Sequence, residues 1–248
     1  HALSAQASLL RPLAAGPDFS ASRKSTNRLN LGSVTPTYAD THCHLDFEAF
    51  DPDREALIQR AKEAGLAFLI IPGVLFENSV HAVELSQTYP HFCYAMAGIH
   101  PNSSKGFNAE TLEKLRLLTE EGSILAIGEI GLDYFRDRVS PADQRQAFEA
   151  QLTLAAETSL PVCIHDREAT DDLLAILKDW WAGLPKSSPL KASPGVMHAW
   201  SESYDRSLPF LEMGFVFGIG GPVSFKNAPD RHALVRELPL ENIVLETD

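Results

Sequence analysis

Short apolar or β-branched segments alternate with stretches of helical spacing from Tyr38 to Asp248, recurring about every 30 residues. Eight of these segments are predicted to be strands: residues 39–44, 67–72, 93–99, 124–129, 161–165, 195–200, 214–219 and 242–248. Strands that alternate with helices form parallel sheets. Eight of them in a chain of 248 residues predict an α/β fold, the (β/α)8 TIM barrel.

Two of the intervening helices carry start signals in the sequence. Asp51-Pro52 predicts an N-cap followed by proline at the first helical position, and Ser140-Pro141 predicts a second helix start of the same kind. The side chains expected to face the barrel from this second helix are Phe148, Leu152 and Ala155.

The chain divides into two segments of different composition. Residues 1–37 are rich in Ala, Ser and Arg and show no steady period, so we expect either a disordered leader or an organelle transit peptide. Residues 38–248 are expected to form one barrel domain. Because no residues follow Asp248 to form an eighth helix, we expect the barrel to be truncated after strand 8.

Charge and cysteine usage limit the partners and the compartment. Residues 1–37 carry four basic side chains and one acidic side chain, so the total of −12 leaves −15 for residues 38–248. Such an acidic surface would need metal ions to hold a polyanionic substrate. No apolar run approaches the roughly 18 residues of a membrane span, so we expect no membrane partner. Three cysteines inside or beside apolar runs favour an intracellular location, cytoplasmic or nuclear, with organelle import if the leader is a transit peptide.

Six residues able to bind metal stand at the ends of separate predicted strands: His42, His44, Glu129, His165, His198 and Asp248. The carboxyl ends of the strands are where such barrels carry their chemistry. Side chains two apart on a strand point the same way, so His42 and His44 can bind one ion. Mixed imidazole and carboxylate ligands suit Zn²⁺, Mn²⁺ or Mg²⁺. The sequence therefore predicts a metal site at the barrel mouth.

Several segments resemble, in order, the motifs of the TatD-type metal-dependent deoxyribonucleases, which are amidohydrolase-like barrels. The segments are residues 40–46 (DTHCHLD), 98–101 (GIHP), 128–134 (GEIGLDY), 164–167 (IHDR), 220–227 (GGPVSFKN) and 245–248 (LETD). The resemblance covers residues 38–248. It implies a metal-dependent hydrolase that cleaves DNA phosphodiester bonds, as a 3′–5′ exonuclease acting on single strands or 3′ ends.

The resemblance also implies roles for individual residues. One divalent ion would be held by His42, His44, Glu129 and Asp248. A second would be held by Glu129, His165 and His198, with Glu129 bridging the two. Two such ions would activate the attacking water, and Asp248 would accept its proton, so Asp248 and Glu129 are the catalytic candidates. The candidates for substrate binding are His100, Lys226 and Asn227.

Two alternatives stay open at this point. The same barrel and ions polarise a carbonyl as readily as a phosphoryl group, so a D-aminoacyl-tRNA deacylase or another ester or amide hydrolase is the second hypothesis. The third is a metal-binding barrel that has lost activity and serves only as a partner module.

Overall fold

A computed structural model describes residues 38–248, and the predicted leader or transit peptide at residues 1–37 lies outside them. Eight strands form one sheet in the order β1 to β8, and each pairs in parallel with the next. Their bounds are β1 Tyr38–Asp40, β2 Leu66–Ile71, β3 Cys93–Ala97, β4 Ile124–Asp133, β5 Val162–Arg167, β6 Gly195–Met197, β7 Val216–Ile219 and β8 Ile243–Leu245. The predicted TIM barrel is confirmed.

Seven α-helices connect these strands: α1 Arg54–Glu63, α2 Phe76–Thr88, α3 Ala109–Glu120, α4 Pro141–Thr158, α5 Thr170–Gly183, α6 Tyr204–Met213 and α7 Pro229–Glu237. Short 3₁₀ turns lie at Glu48–Phe50, Pro101–Ser103, Pro189–Lys191, Gly221–Ser224 and Leu240–Asn242. Within residues 38–248 the structure has no helix long and apolar enough to cross a bilayer.

The first and last strands meet, so the barrel is nearly closed. The N–H of Thr41 donates to the carbonyl of Leu245 at 2.9 Å, and the N–H of Asp248 donates to the carbonyl of His42 at 2.9 Å. The carboxylate of Asp40 accepts from the N–H of Thr247 at 3.1 Å and from its hydroxyl at 2.6 Å. This β1–β8 seam brings the segments that follow the two strands together at the mouth.

The predicted start of α4 is confirmed and that of α1 is wrong. The Ser140 hydroxyl accepts from the N–H of Asp143, Pro141 is the first helical residue, and the three predicted apolar side chains of α4 are buried. By contrast α1 begins at Arg54, after a turn. Asp51 does not cap it, because its carboxylate binds the Arg54 guanidinium at 2.6 Å instead.

The first strand is shorter than the sequence predicts. β1 stops at Asp40, so His42 and His44 lie beyond it rather than inside it. The segment nevertheless bonds to both neighbours, since the N–H of Cys43 donates to the carbonyl of Ile70 at 3.1 Å on the side opposite β8. The alternation of side chains therefore continues past the strand, which is why both histidines still face the mouth.

Candidate metal centre

Four donor atoms meet between β1, β4 and β8. The Nε2 atoms of His42 and His44 are 3.3 Å apart, and they lie 3.5 and 3.9 Å from Oε2 of Glu129. Oδ1 of Asp248 lies 3.9 Å from Nε2 of His42 and 3.4 Å from Nε2 of His44. Donors about 2.1 Å from a tetrahedral ion are roughly 3.4 Å from one another, so this first donor set has the spacing of a divalent metal site.

The other oxygen of Glu129 faces a second donor set. Oε1 lies 2.7 Å from Nδ1 of His165 and 3.7 Å from Nε2 of His198. Nε2 of His100 is 3.5 Å from the same oxygen. Glu129 therefore lies between the two donor sets. Its side chain is 3% exposed and so is shielded from solvent. The six predicted ligands are thus brought together, and His100 joins them.

Burial and neighbouring charge set the protonation of these groups in the metal-free protein. Burial alone would raise the pKa of Glu129, but His198, followed by His100, His165 and His42, holds it well below its usual range. Burial and the nearby His198 lower the pKa of His42, which favours the neutral ring that a metal requires. Burial opposes the protonation of His165, yet hydrogen bonds to Asp133 and Glu129 raise its pKa to about 9.

Glu246 orients His198. Its Oε2 accepts from Nδ1 of His198 at 3.1 Å, and its Oε1 accepts from the N–H of Ala199 at 2.7 Å. Because Nδ1 carries the donated proton, the lone pair of Nε2 points into the centre. With both oxygens occupied, Glu246 acts as a positioning group in this arrangement.

Asp133 lies close to His165. Its Oδ2 lies 3.4 Å from Nε2 of His165 and accepts from the Asn102 amide at 2.6 Å, while its Oδ1 accepts from the N–H of Arg136 at 2.9 Å. One oxygen of Asp133 thus lies beside His165, and the other caps the turn at Arg136. Asp46 accepts from the Asn78 amide at 2.7 Å.

His100 can donate a proton into the centre but cannot act there as a ligand. Its Nδ1 accepts from the N–H of Asn102 at 3.0 Å. The proton of the neutral ring is therefore on Nε2, the atom that faces Glu129. A protonated Nε2 has no lone pair for a metal, so the geometry fits the predicted substrate contact better than coordination.

The remaining predicted substrate contacts lie apart from these donor sets. Lys226 and Asn227 are exposed in the turn that follows the 3₁₀ segment after β7. Within residues 38–248, neither side chain forms a hydrogen bond or an ion pair. Both are free to meet a ligand at the mouth, and their role stays a prediction.

Sequence reasoning missed two acidic residues that shape the centre. Glu246 stands two positions before Asp248, so alternation was the available signal that both carboxylates face the same way. Asp40 accepts from the N–H of His42 at 3.2 Å as well as from Thr247, so it fixes the segment that carries two ligands. No local pattern predicts this role, because Thr247 is 207 positions away.

Comparisons of the sequence and of the structure with known proteins point to the same family. The family model described as TatD related DNase matches residues 39–248. An uncharacterized metal-dependent hydrolase, YabD of Bacillus subtilis, is 37% identical over 84% of this chain and 78% of its own length. The 3′-5′ ssDNA/RNA exonuclease TatD of Edwardsiella piscicida is 36% identical with the same coverage. The crystal structure of YjjV, a TatD homologue from Escherichia coli, superposes with a TM-score of 0.77 at 34% identity, covering 85% of this chain and 78% of YjjV.

Proposed function

This chain belongs to the TatD-related DNase family of metal-dependent hydrolases, and we propose that it is a two-metal 3′–5′ exonuclease acting on single-stranded DNA. The observation that carries the proposal is the position of Glu129. One of its oxygens faces His42 and His44, and the other faces His165 and His198. A buried carboxylate between two sets of imidazole donors could hold two divalent ions, one with each set.

The donor chemistry fits such ions. Imidazole nitrogens and carboxylate oxygens are ligands for Zn²⁺ and Mn²⁺, and the carboxylates also suit Mg²⁺. When bound, two divalent ions would supply the positive charge that polarises a phosphodiester and lowers the pKa of an attacking water. They also offset the negative charge of the acidic barrel, which by itself would repel a nucleic acid.

Asp248 is the proposed proton acceptor. Its Oδ1 lies 3.4 Å from Nε2 of His44 and 3.8 Å from Nε2 of His198, so it faces both donor sets. A hydrogen bond from His44 holds the pKa of Asp248 below its usual value, so the carboxylate is ionised at neutral pH. It can take a proton from a nearby water.

His100 is proposed to hold the substrate. Its Nε2–H points toward Glu129 in the free protein and can donate to a phosphate oxygen that enters the centre. Lys226 and Asn227 would contact phosphate from the turn after β7, Lys226 as a point charge. These contacts would position the scissile bond without coordinating metal.

The name of the Edwardsiella relative describes a single-strand exonuclease that works from the 3′ end, and this supports the proposed substrate and polarity. The test uses 5′-labelled single-stranded DNA with Mg²⁺, Mn²⁺ or Zn²⁺. We expect a ladder that shortens progressively from the 3′ end, absent with EDTA and absent in His42→Ala. His81→Ala, which removes an imidazole on α2 away from the donor sets, is the matched control and should retain the ladder.

The same preparations would be given D-aminoacyl-tRNA. An intact oligonucleotide together with metal-dependent release of the amino acid would reject the nuclease and leave an ester hydrolase on the same centre. Inactivity on both substrates, with every metal, would reject both functions.

A further inference from the structure

Arg167 and Phe135 form a stacked pair at the barrel mouth. Cζ of Arg167 lies 3.9 Å from the centroid of the Phe135 ring. Arg167 ends β5, and Phe135 lies in the loop after β4. The N–H of Tyr134 donates to the carbonyl of Arg167 at 2.9 Å, which extends the pairing of the two strands and places the ring beside the guanidinium. Although one side of the ring is covered, Phe135 remains 54% exposed.

This pair lies next to the second donor set. Arg167 is the register partner of Asp133, whose carboxylate contacts His165. It also follows His165 by two positions on β5, so the two side chains leave the same face of the strand about 7 Å apart at their Cα atoms. A long arginine side chain can span that distance to an anion held at the centre.

The guanidinium of Arg167 keeps its donors free despite nearby acids. Asp166 and Glu168 are its chain neighbours, and Asp133 is opposite it on β4. Within residues 38–248, however, Arg167 forms neither an ion pair nor a side-chain hydrogen bond. In a barrel that carries −15 over these residues, an arginine held by an aromatic ring instead of a carboxylate is available to an external anion.

The loop around Phe135 holds two further arginines, with Asp137 between them. Arg136 and Arg138 follow Phe135 closely, and both are exposed. A single exposed phenylalanine is ordinary on a protein surface. Here the exposed ring coincides with several cations and with the rim of a metal-ligand centre, and that combination is the one used to bind single-stranded nucleic acid.

Building on the proposed function, we propose that Phe135 and Arg167 form a binding site for one nucleotide of a single-stranded substrate. The base stacks on the exposed part of the Phe135 ring, and a phosphate accepts hydrogen bonds from the Arg167 guanidinium. Stacking tolerates any base, so the site would hold the strand without selecting its sequence. A duplex, whose bases are already stacked on one another, cannot use the ring in this way.

The test measures binding of a fluorescent, nuclease-resistant phosphorothioate single strand with Mn²⁺, and of the same strand containing abasic positions, over a range of salt concentrations. Steady-state KM and kcat with Mn²⁺ are measured alongside. The variants are Phe135→Ala and Arg167→Gln. Each has a control at the opposite end of the barrel: Leu240→Ala truncates an apolar side chain that is 82% exposed, and Lys62→Gln removes a cation 4.8 Å from the Phe92 ring.

We expect Phe135→Ala to weaken binding of the base-containing strand by roughly fivefold to a hundredfold and to leave binding of the abasic strand unchanged. Arg167→Gln should weaken binding of both strands. It should also reduce the slope of log affinity against log salt by about 0.7, the value for one phosphate contact on a single strand. In turnover, both variants should raise KM more than they lower kcat.

Two outcomes would overturn the inference in different ways. If the wild-type protein hydrolyses the oligonucleotide but both variants match their controls on both strands, the nucleotide site is wrong and the proposed function stands. If the wild-type protein neither binds the resistant strand nor hydrolyses the unmodified oligonucleotide with Mn²⁺, the proposed function and the nucleotide site fail together. Far-UV spectra and unfolding temperatures of the variants confirm that differences in binding do not come from misfolding.

Discussion

Replacing Glu246 with glutamine tests whether the orientation of His198 matters for metal binding. The Glu246 side chain is 1% exposed and accepts from two donors, Nδ1–H of His198 and N–H of Ala199. Glutamine has nearly the same shape but offers only one carbonyl oxygen. One of the two donors must therefore lose its acceptor and face an NH₂ group.

The size of the effect can be worked out in two ways. A hydrogen bond to a charged group contributes about 1.5–3 kcal/mol. Loss of a partner that orients a ligand histidine typically lowers metal affinity or activity by about 10- to 100-fold, which corresponds to about 1.4–2.8 kcal/mol. The two ranges agree, so we expect Glu246→Gln to bind Zn²⁺ or Mn²⁺ at least tenfold more weakly than the wild-type protein does.

The assay is competition with a chromophoric chelator, using protein stripped of metal at a fixed pH of about 7.5. Glu241→Gln is the matched control, because it makes the same change of charge on an exposed side chain of the turn that precedes β8. Thermal unfolding in EDTA checks that both variants are folded. Equal metal affinities of Glu246→Gln and Glu241→Gln would refute the positioning role.

The same geometry makes three further predictions. Asp248→Asn keeps the shape of the side chain but removes the proton acceptor, so turnover should fall at least a hundredfold while oligonucleotide binding persists; equal activity in a cleavage assay would refute the role. A Cβ at Gly218 would lie 2.0 Å from Oε2 of Glu246, so Gly218→Ala should displace that carboxylate and weaken metal binding about as much as Glu246→Gln in the chelator assay. Burial raises the pKa of all three thiols, that of Cys93 to about 11. The native protein should therefore show no fast thiol reaction with Ellman's reagent at pH 8. After unfolding, three thiols per chain should react with the reagent. The thiols concerned are Cys43, Cys93 and Cys163.

Much of the fold could be predicted because its signals are local. The eight strands follow from periodic apolar segments, and parallel pairing places their carboxyl ends at one mouth, so the amino-acid sequence alone groups residues as distant as His42 and Asp248. The start of α1 could not be predicted in the same way. Asp51-Pro52 has the composition of a helix start, but a contact between Asp51 and Arg54 competes with capping.

Contacts between side chains on different strands could not be predicted from the sequence either. The partnership of Glu246 with His198 joins β8 to β6, and the stacking of Phe135 on Arg167 depends on the register of β4 against β5. Alternation predicts which way a side chain points. It does not predict which neighbour lies opposite, since that depends on packing across the whole barrel.

The β1–β8 seam has a consequence for how the barrel assembles. The hydrogen bonds between Asp40 and Thr247 close a loop of 207 residues, and the first donor set takes His42 and His44 from one side of that seam and Asp248 from the other. An ion held there would cross-link the segments that follow β1 and β8, and its binding energy would offset part of the chain entropy lost on closure. Metal binding would then stabilise the β1–β8 seam as well as supply the chemistry. Amide hydrogen exchange at Thr41 and Asp248 should therefore slow as the ion binds.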